Sequence, residues 1–215
     1  MKIFPDDFVV KITYNKIGGG FMNYKEYQES RNAVWQILID EGVNELPIKV
    51  SQICKNLGII TKTYDSEEED DGYSLILEGS PFIFINRNMP KARQRFTCAH
   101  ELGHIILGHV GKYKLVNREP SPYDSPIEQQ ANIFASRLLA PACVLHELGI
   151  SDAKSIAKTC GISIKAAEFR AQRLKKLEER DKLFRRLYNH GCFYLSPLEA
   201  EVARQFKDYI EKNKL

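Results

Sequence analysis

The stretch that decides the reading of this chain is Arg95-Phe-Thr-Cys-Ala-His-Glu-Leu-Gly-His-Ile-Ile-Leu-Gly-His109. Within it, His100, Glu101 and His104 form His-Glu-x-x-His. Residues four apart on an α-helix lie one above the other, so the two imidazoles project from one face about a turn apart. That spacing lets both bind one zinc ion, and Glu101, beside the first ligand, can reach a metal-bound water as general base. The flanks support a helix. Phe96, Ala99, Leu102, Ile105, Ile106 and Leu107 form a broad apolar surface, and Gly108 is placed to end the element. Gly103 costs a helix roughly 1 kcal/mol relative to Ala, which predicts a neighbour that needs the space. A surface helix with two idle histidines fits this apolar context poorly, because a buried polar cluster requires partners or a purpose.

Composition sets the outer bounds. A chain of 215 residues holds one compact domain with appendages or two small ones. Hydrophobic content of 43% with 27% charged residues describes an ordinary globular protein, and a net charge of +3 is too small to argue for nucleic acid by itself. The N-terminal residues show no secretory signal, and no apolar run approaches the ~18 residues of a membrane span. Cys54, Cys98, Cys143, Cys160 and Cys192 are odd in number and scattered without Cys-x-x-Cys, which predicts reduced thiols in a cytoplasmic protein. Cys98 sits two residues before His100 and so points away from the imidazole face; it reads as helix packing.

In chain order, Phe8–Tyr14 reads as a short strand stopped by Gly18-Gly19-Gly20, a connector without a phosphate-loop pattern. Asn23 caps a helix over 24–40 with Tyr27, Ala33, Val34, Ile37 and Leu38 inward, and Trp35 as packing. A second helix over 49–57 ends at Gly58, and 59–64 alternates like a strand. The acidic run 67–71 reads as a solvated tip lacking the pattern of a calcium loop. Residues 73–78 and 81–86 form a hairpin about a Gly79-Ser80 turn. Its second strand ends just before the metal helix, so it reads either as the sheet edge that holds a substrate as an added strand or as part of a hairpin that only covers the core.

After a polar connector (111–124), Ser125 caps a helix whose stripe is Ile127, Ala131, Phe134, Ala135 and Leu138, stopped by Pro141. Small Ala131 and Ala135 suit close approach to Gly103. A catalytic zinc site ordinarily has three protein ligands. His109 does not supply a metzincin pattern, since Gly108 and His109 fall at offsets eight and nine from His100 instead of seven and ten. It reads as a helix-end residue or a donor to a ligating histidine. Glu128 is a carboxylate on the following helix, but Ser125-x-x-Glu128 is equally a capping box. The residues alone leave both readings open.

Arg-Gln-Arg-Phe-Thr-Cys-Ala-His-Glu-Leu-Gly-His-Ile-Ile-Leu-Gly-His, followed by Glu-Gln-Gln-Ala-Asn-Ile-Phe-Ala-Ser-Arg-Leu-Leu-Ala-Pro, resembles the ImmA/IrrE family of zinc metallopeptidases. The likeness runs from about Leu46 to Leu177 and includes Pro-Phe-Ile-Phe-Ile-Asn upstream. It implies that zinc is held by His100, His104 and Glu128, with Glu101 as catalytic acid/base. Ala140 departs from the methionine the family often carries before the proline. The resemblance also implies a protein substrate, a helix-turn-helix transcriptional repressor cut to derepress stress, prophage or mobile-element genes.

The fold expected is α+β: a minimal zincin-like arrangement with a small mixed sheet backing the Thr97–Leu107 helix. The divisions expected are an N-terminal extension with a helix (1–45), a metallopeptidase core (46–150) and a C-terminal helical region (151–215). In the last, 152–177 has a helix–glycine turn–helix rhythm, and residues 165–186 carry nine Lys/Arg against four Asp/Glu. The favoured reading is a solvated amphipathic helix with Phe169, Leu174 and Leu177 inward; DNA binding is possible but not favoured. Ser196-Pro197 opens a last helix bearing Val202, Phe206, Tyr209 and Ile210. Arg95 reads equally as a surface residue or one behind the ligands, and the oxyanion donor is not identified. The competing function is a DNA- or protein-binding regulator, or a toxin–antitoxin partner, with a structural or vestigial zinc site. Glu101 argues against it, because a structural zinc needs no general base.

Overall fold

A computed structural model of the chain describes residues 24–67, 70–110, 125–188, 190–191, 193–194 and 196–214. The expected strand Phe8–Tyr14, the triple glycine, the cap at Asn23 and the connector 111–124 lie outside the described residues. The described residues have an α+β architecture, with a three-stranded sheet between helical segments.

Helix α1 (Tyr24–Asp40) buries Tyr27, Val34, Trp35, Ile37 and Leu38 at helical spacing, so Trp35 is a packing residue as expected. Helix α2 (Val50–Asn56) ends at Leu57, and Gly58 takes φ +72°, a left-handed conformation that turns the chain into β1 (Ile60–Tyr64). β2 (Gly72–Leu77) and β3 (Ser80–Asn86) make the hairpin. Its two-residue turn is Glu78-Gly79, one residue earlier than read from the sequence. Both residues have positive φ (49° and 80°), as the strand twist requires of so tight a loop.

The strand order β1-β3-β2 corrects one expectation. β3 pairs in parallel with β1 and antiparallel with β2, so both its edges are occupied and it cannot take an added strand. Among the described residues the outer edge of β2 is the one beside the helix that carries His-Glu-x-x-His, which β2 meets at Gly72 and Ser74. Ile83 and Ile85 of β3 are buried toward the helices, whereas Tyr64, Tyr73, Phe84 and Phe82 form a row of ring contacts, with centroids 5.0–6.1 Å apart.

Helix α3 (Lys91–Ile106) carries the motif and begins six residues before the expected Thr97. The carbonyl of Pro90 accepts from Gln94 N at 2.9 Å, and the good helix formers that follow extend the element through a polar stretch with no apolar period to reveal it. It ends where expected, at Gly108 with φ +70°. α4 (Pro126–Leu139) lies against it. A Cβ on Gly103 would stand 3.0 Å from Phe134 Cδ1, so Phe134 is the neighbour that needs the space, while Ala131 and Ala135 are fully buried alongside.

The acidic tip is not wholly solvated. Asp71 is buried and accepts from Arg93 of α3 (Nε to Oδ2 2.5 Å), Asp70 accepts from Tyr64 Oη at 2.7 Å, and Asn86 Nδ2 donates to the carbonyl of Asp70. The negative run thus supplies an anchor between the hairpin and α3. Arg95 also faces structure, donating to the carbonyls of Ile48, Cys160 and Gly161 at 3.1–3.2 Å. It clamps the C-terminal end of α6 (Ala153–Cys160), where a cation suits the exposed carbonyls.

Short α5 (Ala142–Glu147) leads to α6, and Gly161 at φ +63° turns into α7 (Ile164–Tyr188), the expected helix–glycine–helix corner. The inward stripe of α7 is Ala167, Arg170, Leu174, Leu177 and Asp181. Phe169 stands roughly 120° around the helix from that stripe and is 65% exposed, contrary to the expectation that it packs inward. Ser196 caps α8 (Pro197–Gln205), and α9 (Lys207–Asn213) follows after Phe206. Buried apolar side chains from Val34 to Ile210 form one contiguous cluster. No described helix is long and apolar enough to cross a membrane.

The sheet meets α3 most closely at Gly72. A Cβ there would fall 2.3 Å from the carbonyl oxygen of Phe84 and 2.7 Å from Thr97 Cγ2. Gly72→Ala is therefore expected to lower stability by about 2–3 kcal/mol in urea unfolding, because backbone has to move to admit the methyl. An unchanged midpoint would contradict this packing.

Candidate metal centre

His100 and His104 sit one turn apart on α3, each only 1% exposed. Their rings meet edge-on with centroids 4.6 Å apart, and their Nε2 atoms approach to 2.9 Å. Glu128 comes from the first turn of α4. Its Oε2 is 3.1 Å from His100 Nε2 and its Oε1 is 3.4 Å from His104 Nε2. The capping question is answered by a division of labour. Ser125 Oγ accepts from the backbone N–H of Glu128 at 3.4 Å, so the serine half of the box forms while the glutamate carboxylate turns to the imidazoles. A carboxylate in the first turn also suits the helix dipole. Burial pushes the Glu128 carboxyl up, but hydrogen bonds and charge from His100 and His104 outweigh it and hold the group at about 2. Glu128 is thus an anion throughout the neutral range.

The donors fit a small divalent metal. Two donors each about 2.1 Å from a tetrahedral centre stand about 3.4 Å apart. The three observed separations, 2.9, 3.1 and 3.4 Å, lie at or just inside that length. Among the described residues, His100, His104 and Glu128 are the group of three whose donor atoms all fall within 4.8 Å of one another. Two imidazole nitrogens and one carboxylate oxygen are a donor set that zinc accepts readily. Cys98 is not part of it. Its sulfur lies 3.9 Å from that of Cys54 on α2, in the core.

Around these donors the structure adds support. His109 Nδ1 lies 3.0 Å from His104 Nδ1, and His109 is buried. If His104 offers the Nε2 lone pair, its proton is on Nδ1 and is donated to His109. This fixes tautomer and ring orientation. His109 therefore stands behind a ligand candidate, but as an acceptor from His104 and not as the donor the sequence suggested.

Glu101 is fully buried next to His100. Ser74 Oγ of β2 donates to its Oε2 at 2.5 Å, while Oε1 is buried without a hydrogen-bond partner. Sequence reasoning missed Ser74. The available signal was parity: Gly72, Ser74 and Ile76 share one face of β2, and a Gly/Ser pair on an otherwise apolar strand marks the face that meets a helix closely. Arg95, by contrast, is directed to backbone carbonyls away from the cluster.

Residues 54–172, just over half of the chain, match the Peptidase M78 family model, described as the IrrE N-terminal-like domain. The chain belongs to this family, whose name denotes metallopeptidases. It is also 26% identical over 96 residues to "Uncharacterized immunity region protein 2" of Bacillus phage phi105, covering 45% of this chain and 61% of that protein. The match thus spans less than two thirds of the phage protein's length.

His109→Ala is expected to weaken zinc binding by about 10–100-fold, the usual effect of removing a partner that orients a ligand. Competition with a chromophoric chelator measures this, with circular dichroism as the folding control. Affinity equal to wild type would show that His109 does not orient His104.

Proposed function

We propose that this chain is a zinc-dependent endopeptidase of minimal zincin-like fold. In this reading His100, His104 and Glu128 hold the metal and Glu101 is the catalytic acid/base. The observation that carries it is the convergence of those three donors beside a buried carboxylate with one unpartnered oxygen. When bound, zinc supplies Lewis acidity, which acidifies water toward a pKa of ~7 and polarises a peptide carbonyl.

The chain's own residues do the rest. Ser74 pins one oxygen of Glu101, leaving Oε1 as the acceptor for a proton from the attacking water. The same carboxyl then delivers that proton to the leaving amine. Glu128 remains ionised and offsets positive charge at the centre, and His109 keeps His104 in one orientation. The outer edge of β2 is the strand against which an extended substrate segment adds its backbone hydrogen bonds, in place of the β3 edge.

For substrate, we take a transcriptional repressor of helix-turn-helix type, cleaved to derepress stress, prophage or mobile-element genes. The family name and the phage immunity-region relative support this. Action in the cytosol accords with Cys54, Cys98, Cys143 and Cys160 being free thiols. The zincin-like core assigned to 46–150, the extension 1–45 and the basic helical region 151–215 remain the proposed division. A regulator with a purely structural zinc is disfavoured, because it gives the buried Glu101 nothing to do.

The test is incubation of candidate helix-turn-helix repressors, any encoded next to this gene first, with wild-type protein and Glu101→Gln. Wild type is expected to cut it, and the variant to retain zinc at one per chain while losing about 10²–10⁴-fold in rate. Equal cleavage by both proteins would sink the assignment of Glu101, and failure to take up zinc would sink the metal reading.

A further inference from the structure

Phe96 has its ring 6.1 Å from that of His100 and also lines a cavity of about 480 Å³ between α1, α3, α4 and the α6–α7 corner. The cavity wall holds a concentration of positive charge that the metal chemistry does not use. Arg137 and Arg170 are buried, at 7% and 8% exposure, and Arg173 and Lys176 join them along α7.

Their hydrogen bonds go to neutral groups. Arg137 Nη2 donates to Tyr27 Oη at 2.5 Å with its guanidinium 4.7 Å over that ring, and Arg173 Nη2 donates to the same oxygen at 3.2 Å. Arg170 Nε donates to the carbonyl of Ala140 at 2.5 Å, while its Nη2 is buried with no partner. Among the described residues no carboxylate lies within ion-pair distance of Arg137, Arg170, Arg173 or Lys176. Buried Glu199 on α8 acts on Arg137 and Arg170 only from farther away. Burial, with the repulsion of Arg137 added, lowers the Arg170 guanidinium to about 10, so it stays charged at neutral pH. Buried charges are ordinarily paired, and this group is not.

The remaining wall is apolar. Phe96, Ile133 and Ile162 line it, and Phe169, the large side chain that α7 leaves 65% exposed, stands among them. We infer that this cavity binds a small organic anion. Its phosphate or carboxylate head is held by Arg137, Arg170, Arg173 and Lys176, and its apolar or aromatic body lies against Phe96 and Phe169. Planar guanidiniums suit the oxygens of such a head, and the cavity is of the size that small ligands occupy. The inference is independent of zinc and of proteolysis.

Calorimetric titration of the full chain, as purified and at matched ionic strength, tests it with phenyl phosphate, inorganic phosphate and phenol. Phenyl phosphate is expected to bind about tenfold more tightly than inorganic phosphate, reflecting burial of the ring. Phenol, lacking the charge, is expected to give no measurable heat. Arg173→Gln and Lys176→Gln lie on a partly exposed face and should fold normally, checked by thermal melting; each is expected to weaken phenyl phosphate by about fivefold or more. The proposal is overturned if the variant carrying both Arg173→Gln and Lys176→Gln binds like wild type, or if neither phenyl phosphate nor inorganic phosphate gives more heat than sodium chloride at the same ionic strength. Equal affinity for phenol, or binding lost in Glu128→Ala and retained in the double variant, also overturns it. That last result would place the anion at the histidines instead.

Discussion

His100 and His104 bring two imidazole nitrogens to 2.9 Å inside a region almost closed to water, and a carboxylate from a second helix comes within 3.4 Å of both. Polar groups buried this way are costly unless each finds a partner. The rest of the local structure is arranged so that they do. α4 approaches α3 closely because Gly103 leaves room for Phe134, and that approach carries Glu128 to the imidazoles. His109 takes the far nitrogen of His104, and Ser74 takes one oxygen of Glu101. Glu101 Oε1 stays unpartnered beside the centre, and His100 Nδ1 is unpartnered on the side of its ring away from Glu128.

The sheet and the outer helices serve that arrangement at one remove. Gly72 lets β2 lie close enough to α3 for Ser74 to reach Glu101, and Asp71 ties the start of the same strand to Arg93. Arg95 binds carbonyls at the end of α6 and so fixes α3 against the helical region that follows. Two neighbouring arginines of α3, two residues apart, thus anchor it to the hairpin on one side and to the α6–α7 corner on the other. The motif histidines occupy the buried part of a helix held at several points, which suits a site whose donors must keep fixed separations.

The centre was legible in the sequence because its signals are local. Helical spacing alone put His100 and His104 on one face, and Gly108 ended their helix where expected. Glu128 was ambiguous because a capping box and a ligand share the same residue pattern; only the tertiary approach of α4 lets Ser125 cap while the carboxylate points elsewhere. Strand order was not legible, since the parallel pairing of β1 with β3 is a long-range contact with no periodic trace, and it moved the open edge from β3 to β2. Ser74 was hidden for the same reason. Asp71 misled because charge density argues for solvent until Arg93 is seen opposite. Phe169 misled because hydrophobicity argues for the core, whereas the register of α7 buries Arg170 instead.

The atoms that would surround a bound zinc decide whether His100, His104 and Glu128 form a metal site. Zinc-edge X-ray absorption of the zinc-loaded chain measures them directly. Two imidazole nitrogens with the remaining neighbours oxygen, at about 2.0–2.2 Å and without sulfur, are the predicted shell. A sulfur neighbour at about 2.3 Å, placing a cysteine in the shell, or a shell of more than two imidazoles, drawing in His109, would contradict it.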